Sequence, residues 1–392
     1  SGPSAITLNG TLQSSSASIS IGASGRTVTL AGNVVINTYS DAGAGATLSI
    51  AGDVQATSTG AQALTLKAKS GAISILGNVG SVASLSTLTL GDAAQSGLVT
   101  VDGTLSVQTL VAGANSGTNA FDVHLKNTAD AAGTSTVSGV ATFYNTGTLG
   151  LGDYQSDVFN FQGGLAANAS SLTTIRASQV NATNSNISVA GPVTVGHSST
   201  VKAGSGQLSF GALSLSGGVT LSLGDSNQSG TIALSTVSGE SGSGAYSNLA
   251  LRTTASIAVS GAIGTRIGTL TVTNSSGTTF SGAVGTSSDL ISQIVLTATT
   301  GTIEFAGNLY ATSLSNPAST FDLKLYGANT KVVNTVTLNT TGTVYFETLL
   351  QRLQIAIAQV RIHPTVLLLK EGLRTRLAIT PLRAHLSRRR LA

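Results

Sequence analysis

Leu48-Ser49-Ile50-Ala51-Gly52-Asp53-Val54 and Ile73-Ser74-Ile75-Leu76-Gly77-Asn78-Val79 state the pattern that decides the fold. Two aliphatic residues flank one small polar residue; one residue further comes Gly, then any residue, then another aliphatic. The phrase opens the chain at Ile6-Thr7-Leu8-Asn9-Gly10-Thr11-Leu12, and it returns as Val28 to Val34 and as Val99 to Leu105. The glycines of these five copies, Gly10, Gly32, Gly52, Gly77 and Gly103, are spaced 22, 20, 25 and 26 residues apart. A period of that size marks a solenoid, in which no single repeat can bury its own apolar face.

Further copies run from Ile187 to Val193, Leu213 to Val219, Ile257 to Ile263 and Ile303 to Leu309. Alternation with period two specifies strands with one aliphatic face and one Ser/Thr face. Val, Ile, Thr and Leu suit such a half-buried pleated surface. The glycine is expected to turn the chain through positive φ before the next strand. No helical spacing shows before about residue 349. Stacked coils of about 20–26 residues are therefore expected, with an array of β-sandwiches as the structural rival.

The 392 residues include 41% hydrophobic and only 9% charged, with no Cys, Met or Trp. The aliphatic share is too high for a disordered chain, and 47 glycines without a three-residue period exclude collagen. Without cysteine there are no disulfides or thiolate metal sites. No apolar run is long enough to cross a membrane as a helix. The net charge of +4 conceals two regimes. Only Arg26, Arg176, Arg252 and Arg266 precede residue 350, leaving the body slightly acidic to neutral with no basic stripe for nucleic acid. The repeat phrase is already running at Ile6 with no leader before it, so the chain reads as an internal piece of something longer.

Longer units also recur. Leu88-Thr89-Leu90-Gly91-Asp92-Ala93-Ala94-Gln95-Ser96-Gly97 matches Leu221-Ser222-Leu223-Gly224-Asp225-Ser226-Asn227-Gln228-Ser229-Gly230. Phe121-Asp122-Val123-His124-Leu125 matches Phe321-Asp322-Leu323-Lys324-Leu325, and Leu64 to Gly80 aligns with Leu270 to Gly285. Loops at Ala112–Asn119 and Ser238–Ser247 are expected to lengthen their coils. This vocabulary resembles the β-strand-repeat regions of large bacterial exoproteins, of the filamentous-haemagglutinin-like adhesin and autotransporter-passenger type. The resemblance covers roughly residues 1–346. It implies a right-handed parallel β-helix displayed on, or shed from, a bacterial cell surface for attachment or biofilm contact, and it brings no catalytic motif.

The chain divides into a β-solenoid region, 1–348, and an atypical basic tail, 349–392. In the tail Gly falls to Gly372 alone, while Leu and Arg rise, as in Ser387-Arg388-Arg389-Arg390-Leu391. Three readings compete: a basic helix for a membrane or acidic partner, a helical cap on the solenoid end, and translation out of frame. Leu349, Leu350, Leu353, Ile357 and Val360 offer some amphipathic spacing, which Pro364 and Pro381 break.

Parallel β-helices also support carbohydrate chemistry, which needs carboxylates converging on one face. The clusters to examine are Asp153 with Asp157, and Asp122 with His124. The second pair lies at i and i+2 on one strand face, with His124 as base and Asp122 as its orienter. Asp322 pairs with Lys324 instead, so that chemistry is not repeated. Asp92, Asp225 and Asp153 follow Gly in Leu-Gly-Asp turns, where Asp accepts backbone N–H bonds; the denser nine-residue calcium repeat is absent. Asn33, Asn78 and Asn308 are expected to stack as an amide ladder. Thr269, Thr271 and Thr273 form a short array of the kind ice-binding solenoids use. No phosphate loop, nucleophile elbow or His-rich metal spacing is present, and no catalytic, metal or cofactor residue is assigned.

The expectation is a secreted or surface-displayed β-solenoid acting as a rigid multivalent rod in attachment or a biofilm matrix. Its partners would be glycans, cell-surface or matrix components, or sister chains. Two rivals belong to other classes: a β-helical carbohydrate-active enzyme using Asp122, His124, Asp153 and Asp157, and an S-layer or matrix lattice component.

Overall fold

The computed structural model describes residues 5–40, 43–117, 119–127, 133–242 and 244–347, with the backbone of 360–362 and 367–369. Among these residues the chain is all-β, a solenoid of about 14 turns in which the strand pairings are parallel. Each full turn visits three faces in order. The first, called the hydroxyl face below, stacks ten strands from Ile19–Ile21 through Ile73–Ile75 and Leu149's strand, Thr148–Leu151, to Val237–Gly239. Single bridged residues, Ile263, Val284 and Leu309, continue it. The second, wide face ends in the strands Ile267–Thr273, Ile291–Thr297, Tyr310–Ser319 and Lys331–Thr340. A third face runs through Ala63–Lys67, Ile187–Val189 and Ile303–Phe305 of strand Thr302–Phe305 to Val344–Phe346. Strand Thr27–Asn37 bends round a corner and serves two faces: Thr27 to Leu30 pair with Asp53 to Ala56, and Val34 to Asn37 pair with Leu64 to Lys67.

Alternation places every second side chain in one continuous interior. On the hydroxyl face Ile73 and Ile75 stack on Val99 and Val101, then on Val123 and Leu125, all 0–2% exposed. On the third face Phe280 lies over Phe305, with ring centroids 4.8 Å apart at 15°, and both are fully buried. The strands of neighbouring turns lie about 4.8 Å apart, so each aliphatic side chain touches its counterparts above and below. Burying one such side chain contributes about 1.5–3 kcal/mol. No turn could bury its row alone, which is why the repeat must stack.

Turns are more variable than the expected 20–26 residues. Phe305 pairs with Leu325, twenty residues on, whereas Ala112 pairs with Phe143, thirty-one residues on. The ladder fixes only the strands, so an excursion at a corner lengthens a turn without disturbing the core.

The glycine of the repeat phrase has a different cause from the one expected. Of the nine phrase glycines only Gly10 has positive φ. Gly77 is required because a Cβ there would stand 2.5 Å from the carbonyl oxygen of Gly52, its counterpart one turn away. Gly103 is stacked on Gly77 in the same way. The corner is narrow, and backbone lies directly on backbone.

The phrase also does not mark one fixed corner. Ile73 and Ile75 lie on the hydroxyl face and lead to Val79 on the wide face. Ile257 and Val259 lie on the third face and lead to Ile263 on the hydroxyl face. The long copies shift likewise. Leu88 and Leu90 belong to the third face, while their counterparts Leu221 and Leu223 belong to the wide face. All three faces present aliphatic residues inward and small polar residues outward, so a strand–corner–strand unit fits at any corner.

The Asn ladder is corrected for the same reason. Asn33, Asn78 and Asn308 occupy three different corners, and none stacks on another. Each instead accepts a backbone N–H from the next turn, those of Ala63, Thr104 and Asn329, all at 2.9 Å. A true amide ladder occurs on the wide face, where Asn181 donates to Asn160 at 2.9 Å. The tail 349–392 lies almost wholly outside the described residues. Its described strands, Val360–Ile362 and Leu367–Leu369, pair in parallel with Val336 to Leu338 and Val344 to Phe346.

Candidate functional site

On the hydroxyl face one outward residue per turn forms a file: Ser20, Ser49, Ser74, Thr100, His124, Gly150, Thr174, Thr194, Ser214 and Ser238. Eight of the ten carry a hydroxyl, and the two exceptions are adjacent. A large ring is followed by no side chain, and a Cβ on Gly150 would stand 3.3 Å from Cδ2 of His124. The imidazole thus lies over the bare backbone of the next turn.

Two residues further along each strand a second file repeats the notch. Lys126, Gly152 and Arg176 follow the paired positions Leu125, Leu151 and Ile175, so Gly152 separates two cations. Gly152 sits at φ +81°, which also favours glycine for the turn. A recess of about 270 Å³ opens there, with Gly150 and Gly152 at its floor; the missing side chain of Gly150 leaves it clear, whereas a Cβ on Gly152 would point inward at Ala177 and the Asp157 carboxylate. His124 and Lys126 wall it on one side, Thr174 and Arg176 on the other, with Thr148 and Asp153 at its ends. Lys126 pairs with Asp102 at 2.9 Å. Arg176 makes no ion pair among the described residues, and its side chain lies over Gly196 from Cγ to Nε.

The four sequence candidates separate. His124 and Asp153 line the recess together. Asp122 does not orient His124 among the described bonds; its Oδ1 accepts the Thr148 N–H at 2.6 Å and the Thr148 hydroxyl at 2.9 Å. Asp322 does the equivalent for the Thr343 N–H at 2.7 Å, so the shared Phe-Asp motif is an inter-turn cap. Asp157 is fully buried and points into its own turn, where Oδ2 accepts the N–H groups of Asp153 at 3.1 Å and Tyr154 at 3.0 Å. Burial raises its pKa above the ordinary 3.8 and the Asp153 charge adds to the rise, while the N–H bonds from Tyr154, Asp153 and Gly133 oppose it.

The Leu-Gly-Asp motifs are structural in their described contacts. Asp92 and Asp225 accept the N–H groups of Ala94 at 3.0 Å and Asn227 at 2.8 Å, closing Asx turns. Lys67 and Lys202 reach these carboxylates from the preceding turn. The motif's Gln is the residue that sequence reasoning passed over. Gln95 and Gln228 are fully buried; Gln228 accepts the Ala203 N–H at 2.8 Å and donates to the carbonyls of Gly206 at 2.9 Å and Gly230 at 3.3 Å. The recurrence of Gln five residues after the second Leu was the available signal.

Thr269, Thr271 and Thr273 do not extend into a flat hydroxyl array, because their partners one turn on are Gln293, Val295 and Thr297. Among the described residues no group of three or more His, Asp or Glu is placed to hold a metal ion. A second groove of about 490 Å³ follows the Gly163–Gly164 corner below Val140 and has no charged lining. Gly150 and Gly152 were visible in the sequence only as two more glycines; the register alone shows that they lie side by side among cations. Comparison with protein-family models, with curated proteins and with solved structures finds no match.

Proposed function

We propose that this protein is a structural and adhesive rod, displayed on or released from a bacterial surface, that engages glycans, matrix components or sister chains through many weak contacts. The observation that carries this reading is the hydroxyl file, one Ser or Thr per turn at eight of ten successive levels. A fully packed aliphatic interior holds those hydroxyls at about 4.8 Å intervals, so a repeating ligand meets a repeating surface. Single hydroxyl contacts are weak. Several engaged at once multiply retention by about 10²–10⁴ relative to one.

Catalysis is not part of the reading. Asp122 and Asp157 accept backbone N–H bonds, which leaves Asp153 as the only one of the three candidate carboxylates at the recess. The composition supports export, since a chain without cysteine folds independently of redox conditions.

The test is retention of the purified chain on immobilised bacterial polysaccharides and on cell-wall preparations. Wild type is compared with a quadruple variant, Ser49→Ala, Ser74→Ala, Thr194→Val and Ser214→Ala. These positions face outward, so the fold should persist by circular dichroism while retention drops at least about tenfold. Equal retention of the variant, or no retention of wild type on any such surface, refutes the reading.

A further inference from the structure

The recess over Gly150 and Gly152 differs in kind from the hydroxyl file around it. We propose that it is a discrete binding site for one carboxylate-bearing sugar ring, such as a uronic acid residue. The inference stands on the recess alone, whatever surface the rod attaches to.

Size is the first argument. His124 and Thr174 are two levels apart, about 9–10 Å between their backbones, with no side chain on the level between them. That span admits one pyranose ring lying along the stack. The ring's apolar face would meet the half-buried imidazole of His124, which lies over Gly150.

Charge is the second. Lys126 and Arg176 flank Gly152 in register and both line the recess. Lys126 is already answered by Asp102, whereas Arg176 has no ion-pair partner among the described residues. A guanidinium presents two parallel N–H donors that match the two oxygens of a carboxylate. Asp153 at the end of the recess repels the ligand carboxylate from that side, which sets the orientation. Thr174 supplies a hydroxyl, while Thr148 donates its own proton to Asp122 and so presents an acceptor.

The experiment is titration of the whole chain with methyl glucuronide, followed by isothermal calorimetry and by saturation-transfer NMR. Methyl glucoside and glucose 6-sulfate serve as neutral and sulfated controls. Arg176→Gln removes the charge, and Gly150→Thr fills the floor while completing the hydroxyl file. Each should weaken glucuronide binding about tenfold or more, the loss expected for a charged hydrogen-bonded pair. Melting temperatures should stay within a few degrees of wild type, which separates lost binding from lost folding. Asn227→Ala, an exposed position outside both the recess and the hydroxyl file, should bind as wild type does. The proposal is overturned if glucuronide does not bind, if both recess variants bind like wild type, or if the neutral glucoside binds equally well. Equal binding of the 6-sulfate overturns the assignment to a carboxylate.

Discussion

Gln228→Leu isolates the corner clamp from everything else in the fold. The side chain is fully buried and serves three backbone groups. Leucine has nearly the same volume and can occupy the space, so the perturbation is loss of hydrogen bonding rather than a cavity. The Gly230 carbonyl keeps a second donor, the Thr253 hydroxyl at 2.7 Å. The Ala203 N–H and the Gly206 carbonyl lose the partner described here. Each stranded buried group costs about 1–3 kcal/mol, and the apolar side chain returns about 1–2 kcal/mol through its burial. A net destabilisation of about 1–4 kcal/mol follows. Urea unfolding by far-UV circular dichroism measures the total. Amide exchange at Ala203, Gly206 and Gly230 shows whether the loss is confined to these two turns, as a nearest-neighbour array requires. Asn227→Ala, whose side chain is exposed, is the control and should lie within about 0.5 kcal/mol of wild type. A Gln228→Leu chain as stable as that control would refute the assignment of the clamp.

Asp157→Asn tests the buried carboxyl: because the folded-state pKa is raised, wild-type stability falls as pH climbs from 3.8 through the raised value, and the Asn variant lacks that fall. The variant's melting temperature relative to wild type should therefore increase across that window; a constant difference contradicts the burial argument. Thr173→Val should stabilise by about 1 kcal/mol in urea unfolding, since the Thr173 hydroxyl is buried with no hydrogen-bond partner among the described residues, in an otherwise aliphatic row. Gly77→Ala should cost about 2 kcal/mol or more because its Cβ meets the Gly52 carbonyl; an unchanged urea midpoint would show that the corner can spread.

The repeat phrase was enough to specify parallel stacking, because inward aliphatic pairs such as Ile73 and Ile75 have meaning only when another pair lies over them. Register was less legible. The same seven residues turn any of three corners, so the glycine spacing mixed corners, and Asn33, Asn78 and Asn308 were read as a column that does not exist. Only the long-range pairings distinguish one corner from another. The phrase glycines were placed correctly for the wrong reason: close approach of two turns leaves no trace in local sequence, whereas a positive φ is a familiar local explanation.

The site was half legible. His124 and Asp153 were singled out as chemistry-bearing residues and do line one recess. Asp122 and Asp157 are equally acidic in sequence, but their hydrogen bonds to Thr148, Asp153 and Tyr154 tie them to the backbone. Arg176 was not connected to His124 and Lys126, because a long separation in sequence hides a separation of only two levels in space. Gly150 acquires significance only as the missing member of an outward file, and Gly152 only through its place between Lys126 and Arg176.

Pulsed dipolar spectroscopy on spin-labelled cysteine pairs addresses the stacking itself, and the native chain supplies no competing cysteine. Labels at Ser49 and Thr174 stand five levels apart on the hydroxyl file, and labels at Ser49 and Ser214 stand seven apart. At about 4.8 Å per level the separations should be about 24 Å and about 34 Å, each with a narrow distribution. Distances that do not grow with the number of intervening levels, or that are broad for both pairs, would contradict a single stacked spine.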